Sequence, residues 1–155
     1  MRDDLLEREV SADTKSKVTF CPSSQPTVEQ SLILGSIERN GPGEPHVRYL
    51  KHPVKVTDGT LAAFTNAAIK ATEVFRFTAP CQKIDCRNWN GSACRVGQQV
   101  TKILPVVSSQ LPECRLRPVC QWFDQEGEAA CLRCPQVVTN DPDLEKALNG
   151  EPRAY

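Results

Sequence analysis

Seven of the eight cysteines in this chain fall between residues 81 and 134, in the pattern Cys81-x4-Cys86-x7-Cys94-x19-Cys114-x5-Cys120-x10-Cys131-x2-Cys134. A free cysteine ordinarily occurs singly and packs as a small buried hydrophobe. A crowd of them asks for another explanation, either oxidation in pairs or a shared metal. Oxidation suits small secreted domains with an even number of cysteines. Here the dense group is odd, and only the distant Cys21 would complete the pairs. The opening "MRDDLLEREVSADTKSK" is charged and lacks the apolar stretch of a secretory signal. The thiols are therefore expected to be reduced, as in the cytoplasm.

Metal binding is the leading reading, ahead of a disulfide framework and of plain core packing. Thiolate is a soft donor, and an all-cysteine site selects zinc or an iron–sulfur cluster over hard cations. Neighbouring thiols lose their protons at acceptable cost only when a cation sits among them. Structural zinc sites use two tight knuckles, whereas this chain has one, Cys131 with Cys134, and a looser Cys81-x4-Cys86. The longer gaps suit a larger cube, so an iron–sulfur cluster is expected, a four-iron, four-sulfide one, with zinc as the alternative. The candidate metal ligands are Cys81, Cys86, Cys94, Cys114, Cys120, Cys131 and Cys134. Seven thiols exceed the four that one cube needs, so one or two clusters fit. Cys81, Cys86 and Cys94 are expected to take a fourth sulfur from Cys120 or Cys134. Cys21, some 60 residues upstream in a Pro/Ser-rich segment, is expected to be dispensable.

Cys134-Pro135 resembles the terminal Cys-Pro of bacterial ferredoxin runs. "RPVCQWF" resembles an arginine–proline–cysteine segment of small bacterial proteins with clustered cysteines, without the adjacent cysteine pair of that group, and it implies no residue assignment. Trp89, Trp122 and Phe123 lie among the cysteines and would shield a cluster from water. Arg87, Arg95, Arg115, Arg117 and Arg133 accompany them and would offset its negative charge.

The 155 residues suit one domain, and 39% apolar residues with 12 prolines point to a modest core rich in turns. Residues 1–17 read as a flexible polar tail. Residues 18–78 read as a β-hairpin plus helix: "SLILGSIE" and "HVRYL" are strand-like on either side of the turn signal "RNGPGEP". Thr57 or Asp58 caps a helix with Leu61, Phe64, Ala68 and Ile69 near one face. "TEVFRFTAP" alternates as a short strand leading to Cys81. Residues 79–138 form the cysteine-rich segment. Val96, Val100, Ile103, Leu104 and Val107 recur at helical spacing until Pro105 ends or kinks the helix. A second helix is expected after Pro118, broken near Gly127. Residues 139–155 read as a polar tail with one helical turn at "DLEKAL". The fold class expected is α+β, a small N-terminal hairpin and helix packed on a helical, cysteine-rich metal-binding segment.

Composition narrows the function. Nineteen basic residues balance nineteen acidic ones, so the basic excess that nucleic-acid binding requires is absent. No stretch has the run of about 20 apolar residues that a membrane helix needs. No phosphate-cradling glycine loop is present, since "GPGEP" carries proline where amides would have to point at an anion. The Cys131-x2-Cys134 pair lacks the βαβ setting of thioredoxin-like catalysis. A cysteine nucleophile would need His46 or His52 to fold back onto it. No catalytic residue is assigned. The chain reads as a cytoplasmic iron–sulfur protein, an electron carrier or cluster-bearing accessory subunit with a protein redox partner. The alternative is a zinc-stabilised interaction module without redox chemistry.

Overall fold

A computed structural model describes residues 18–27, 29–40 and 44–149. The expected tail at 1–17 and the last residues of the C-terminal tail, 150–155, lie outside the described residues. Four antiparallel strands, β1 (Phe20–Ser24), β2 (Leu32–Asn40), β3 (Glu44–Lys55) and β4 (Phe75–Pro80), form one sheet in the order β1-β4-β2-β3. Helix α1 (Asp58–Ala67) and a single turn, α2 (Ala71–Val74), cross from β3 to β4. After the sheet come α3 (Arg95–Ile103), α4 (Gln121–Glu126), α5 (Glu128–Cys131) and α6 (Pro142–Asn149), with 3-10 turns at Lys83–Asp85, Arg117–Val119 and Cys134–Gln136. Sheet and helices together make the molecule α+β. No helix among the described residues is long and apolar enough to cross a membrane.

The expected hairpin is present as β2 and β3, whose connection lies outside the described residues. Strand β3 continues past "HVRYL" to Lys55, with a register shift opposite Ile33 and Gly35. There the backbones come so close that a Cβ on Gly35 would meet the Arg48 carbonyl oxygen at 2.6 Å. Only glycine fits that approach. Thr57 caps α1 by accepting from the Thr60 amide at 3.2 Å, as its sequence implied. Helix α3 stops at Ile103, two residues before Pro105. Gly127, at a φ of 73°, divides α4 from α5. That conformation suits glycine and breaks the helix where the sequence suggested.

Strand β1 is the departure. Pro22 and the turn-forming residues after it read as a loop, yet Phe20 and Cys21 pair with Pro80 and Ala79 of β4. The physical reason is position. Proline removes a ladder donor and is confined to sheet edges, and β1 is an edge strand. The other edge, β3, carries Pro45 and Pro53.

One face of the sheet packs on the cysteine-rich half. Phe20, Leu32 and Leu34 join Val100, Leu116, Val119, Trp122, Ala130 and Val137 in a single apolar cluster. The core thus spans the hairpin region and the cysteine-rich region. Outside it, Phe64 of α1 meets Phe75 edge-on at 5.8 Å, and Phe75 meets Phe77 at 6.2 Å. No residue of α1 is buried, so this helix covers little of the sheet.

In "VFRF" the arginine between aromatic residues points into this core. Arg76 is fully buried. Its Nε donates to the Pro22 carbonyl at 2.7 Å, and its Nη1 donates to the carbonyls of Cys134 at 2.8 Å and Val137 at 3.0 Å. Its Nη2 donates to the Cys134 sulfur. The guanidinium lies 6.0 Å from the Tyr49 ring centre and 5.8 Å from that of Trp122. One side chain therefore ties β1, β4 and the turn at Cys134–Gln136 together. Replacing it takes this donor from the buried carbonyls of Pro22 and Val137, at about 1–3 kcal/mol each, while the Cys134 carbonyl still accepts from the Val137 amide at 3.0 Å. We expect Arg76→Met to lower stability by at least about 2 kcal/mol. Arg48→Met, which breaks the exposed 3.0 Å pair with Glu38, should cost under about 1 kcal/mol. Denaturant unfolding of both variants tests the contrast, and equal losses would refute it.

Candidate metal centre

All eight cysteines are free thiols, and they divide into two groups of four. Cys21, Cys81, Cys86 and Cys94 line a cavity of about 440 Å³, with Trp89 and Trp122 in its wall. Cys114, Cys120, Cys131 and Cys134 line a second cavity of about 20 Å³, together with Tyr49 and Arg117. The three cysteines expected to act together, Cys81, Cys86 and Cys94, do share one cavity. Their fourth neighbour is Cys21, whereas Cys120 and Cys134 line the other one. His46 and His52 are exposed on β3 and line neither cavity.

Local structure explains the first grouping. β1 pairs with β4, setting Cys21 opposite Ala79, and the Cys81 amide donates to the Thr19 carbonyl at 2.8 Å. Two cysteines 60 positions apart are thereby neighbours across one sheet edge. Cys86 ends the turn at Lys83–Asp85. Residues 86–94 then close on themselves, with Trp89 bridging to Cys94 and the Arg95 amide donating to the Asn88 carbonyl at 2.8 Å. Cys94 stands at the N-terminus of α3.

Cys94 is held from α4 by a side chain that mimics a strand. The Gln125 Oε1 accepts from the Cys94 amide and its Nε2 donates to the Cys94 carbonyl, both at 2.9 Å. Gln121 donates to Gln125 at 2.8 Å and accepts from Thr19 at 2.5 Å, a buried chain reaching back to the start of β1. Helices α3 and α4 meet at Gly97, where a Cβ would lie 2.9 Å from the Trp122 ring. The glycine lets Trp122 reach the cavity wall.

In the second group, Phe20 of β1 bridges to Cys120, which opens α4. Cys131 closes α5 and Cys134 begins the next turn, so "CLRCP" delivers both sulfurs to one cavity. Arg133 donates to the carbonyls of Leu104 at 2.9 Å and Ala129 at 2.8 Å, and so fastens the chain after α3 to α5.

The sulfurs share an electrostatic pattern. Burial pushes the Cys21 thiol up to about 12, and Cys94, Cys81 and Cys86 add to the rise. Burial likewise raises Cys81 and Cys94, lifts Cys114 to about 11 and raises Cys120 strongly, each with help from neighbouring cysteines. Against this rise stand backbone N–H groups two residues along: Ser23 for Cys21, Lys83 for Cys81, Val96 for Cys94, Leu116 for Cys114 and Trp122 for Cys120. The Asn88 amide donates to the Cys86 sulfur at 3.4 Å. The other two thiols are addressed by arginines, Cys134 by Arg76 and Cys131 by Arg117, the latter opposing burial. Every cysteine thus has a donor directed at its sulfur. A neutral thiol is a weak acceptor; donors at all eight sites suit thiolates.

The Trp122 Nε1–H points the same way. It is buried without a hydrogen-bond partner, and the indole favours the charged form of Cys94. An unmatched buried donor is costly, and here an anionic sulfur would satisfy it. Among the described residues, no group of three or more His, Cys, Asp or Glu side chains stands ready to hold a metal ion. No family model matches the chain, nor does any curated protein or solved structure.

Arg76 and Cys21 are the two residues that sequence reasoning missed. A signal for Cys21 was present: Cys21-Pro22 repeats the Cys134-Pro135 dipeptide. Arg76 had a weaker one, a lone charge in the apolar run of "VFRFTA".

The raised thiols make a prediction about the metal-free protein. An unfolded cysteine ionises near 9.0, whereas folded Cys21 holds its proton to about 12 and Cys114 to about 11. Above pH 9 the unfolded chain therefore carries fewer protons, and stability falls as pH rises. Urea midpoints of the chelated, reduced protein should drop steadily between about pH 8.5 and 10.5. A constant or rising midpoint would contradict the burial of these thiols.

Proposed function

We propose that this chain is a cytoplasmic iron–sulfur protein that carries electrons, alone or as a cluster-bearing subunit of a redox enzyme. The observation that carries the reading is the convergence of Cys21, Cys81, Cys86 and Cys94 on one 440 Å³ cavity. A four-iron cube bonds its four thiolates at four different irons and so needs space between them. A zinc ion instead draws four sulfurs to about 2.3 Å from one point. The cavity far exceeds the roughly 30 Å³ of a single water. The backbone donors match the reading too, since hydrogen bonds to sulfur are one of the means by which a protein tunes cluster potential. When bound, the cluster supplies one-electron chemistry. The chain's own part is to hold four sulfurs, wall them with Trp89 and Trp122, and aim donors at them.

A protein redox partner fits the surface next to this cavity. Ile84, between Cys81 and Cys86, is 83% exposed. A large apolar side chain so placed suits a transient contact that brings a partner close to the cluster.

Anaerobic purification tests the proposal. The protein should be brown and contain iron and acid-labile sulfide in equal amounts. Cys21→Ser should lose at least half of both. Colourless protein with stoichiometric zinc would replace the reading with the structural module. Iron retained in full by Cys21→Ser would show that the cavity is not the site.

A further inference from the structure

The second cavity differs from the first in the room it encloses. Four cysteines line each, but Cys114, Cys120, Cys131 and Cys134 surround about 20 Å³ where the others surround about 440 Å³. Roughly 10–15 Å³ admits one water-sized particle. A four-iron, four-sulfide cube would have to place eight atoms among its ligands, and the space for them is absent. One ion needs far less. Four sulfurs held about 2.3 Å from a tetrahedral centre lie about 3.8 Å from one another, within the roughly 3.5–4.0 Å at which unbonded heavy atoms touch. A single ion therefore fits at the centre of four closely packed thiols.

We propose that Cys114, Cys120, Cys131 and Cys134 bind one zinc ion in a closed structural site, separate from the cluster cavity. Cys131-x2-Cys134 supplies the tight knuckle typical of such sites, with Cys131 closing α5 and Cys134 opening the next turn. Four soft ligands with no position left open suit zinc in a structural role rather than a catalytic one. Among the described residues no group stands ready for an ion, so binding gathers these sulfurs. Each cysteine side chain has three staggered positions, and passing between them moves the sulfur while the backbone stays in place. The inference uses none of the first cavity's ligands and does not rest on the iron–sulfur reading.

The stretch from Cys114 to Cys134 is one that a metal bond would strengthen. Its helices are α4, of six residues, and α5, of four, flanked by 3-10 turns. Helices so short are not stable by themselves. An ion bonded to the first and last cysteines of the stretch, and to two between them, closes it into loops and turns binding energy into folding energy. Trp122 belongs to the same stretch and also walls the first cavity. The zinc site thereby steadies a wall of its neighbour.

Metal analysis and zinc X-ray absorption of the anaerobically purified full-length protein, alongside Cys86→Ser and Cys131→Ser, test the assignment. The parent and Cys86→Ser should each hold one zinc per chain, in a shell of four sulfurs at about 2.3 Å. Cys131→Ser should lose its zinc to a concentration of EDTA that leaves the parent's in place. Where Cys131→Ser does not fold, Cys86→Ser decides the matter, because only the second cavity then keeps four cysteines. A parent without zinc, a zinc shell containing oxygen or nitrogen, zinc lost from Cys86→Ser, or zinc held equally by Cys131→Ser overturns the site. A colourless parent whose single zinc survives in Cys86→Ser removes the iron–sulfur reading and leaves this inference standing.

Discussion

The buried guanidinium of Arg76 is the point on which the rest of the molecule depends. It projects from a central strand, β4, and reaches carbonyls in β1 and in the turn that follows Cys131. Three hydrogen bonds from one planar fork fix the separation of the sheet and the last cysteines to within the tolerance of hydrogen-bond geometry. Lysine would supply the charge without the fork. Tyr49 and Trp122 flank it at cation–π distance, so much of the desolvation that burial imposes is offset by ring faces rather than by acids. That leaves the positive charge itself still in need of an anion, and places the need beside Cys134.

Around this point the cysteines are arranged by ordinary means. Antiparallel pairing of β1 with β4 sets Cys21 beside Cys81, a glutamine amide clamps Cys94, and two short helices separated by Gly127 turn Cys120, Cys131 and Cys134 inward. The elements after the sheet are short, and the 3-10 turns among them contribute no apolar face of any length. The apolar cluster that holds them is shared with the sheet. Core residues and cavity walls are consequently shared, Trp122 being both a core side chain and a wall of the larger cavity.

Much of this was legible before any coordinates. The hairpin, the Thr57 cap, the stop of α3 ahead of Pro105 and the break at Gly127 all follow from local chemistry, and local chemistry is what a sequence displays. The placements of Cys21 and Arg76 were not legible, and for one cause. Cys21 was set aside because it is far from Cys81 along the chain, but strand pairing acts across space. Pro22 then argued against a strand, because nothing in the sequence says which strands will lie at an edge. Arg76 stood in a segment that alternates as a short strand, and alternation does not say which face is the core. Alternation does place Phe75 and Phe77 together against α1, but the opposite face proved to be the core rather than solvent. An inward-facing arginine becomes plausible only once the cysteines opposite it are known.

Both margins of the sheet carry proline, Pro22 in β1 and Pro45 and Pro53 in β3. An edge strand otherwise offers a row of free amides on which another chain can build. Each proline removes one of those amides, and the register shift in β1 further distorts the row. The sheet is in this sense closed without being a barrel: it discourages both stray polymerisation and recognition by strand addition. A partner of this protein should therefore engage side chains rather than lengthen the ladder. For the electron carrier proposed above, a contact without shared backbone hydrogen bonds would also be the one that dissociates readily.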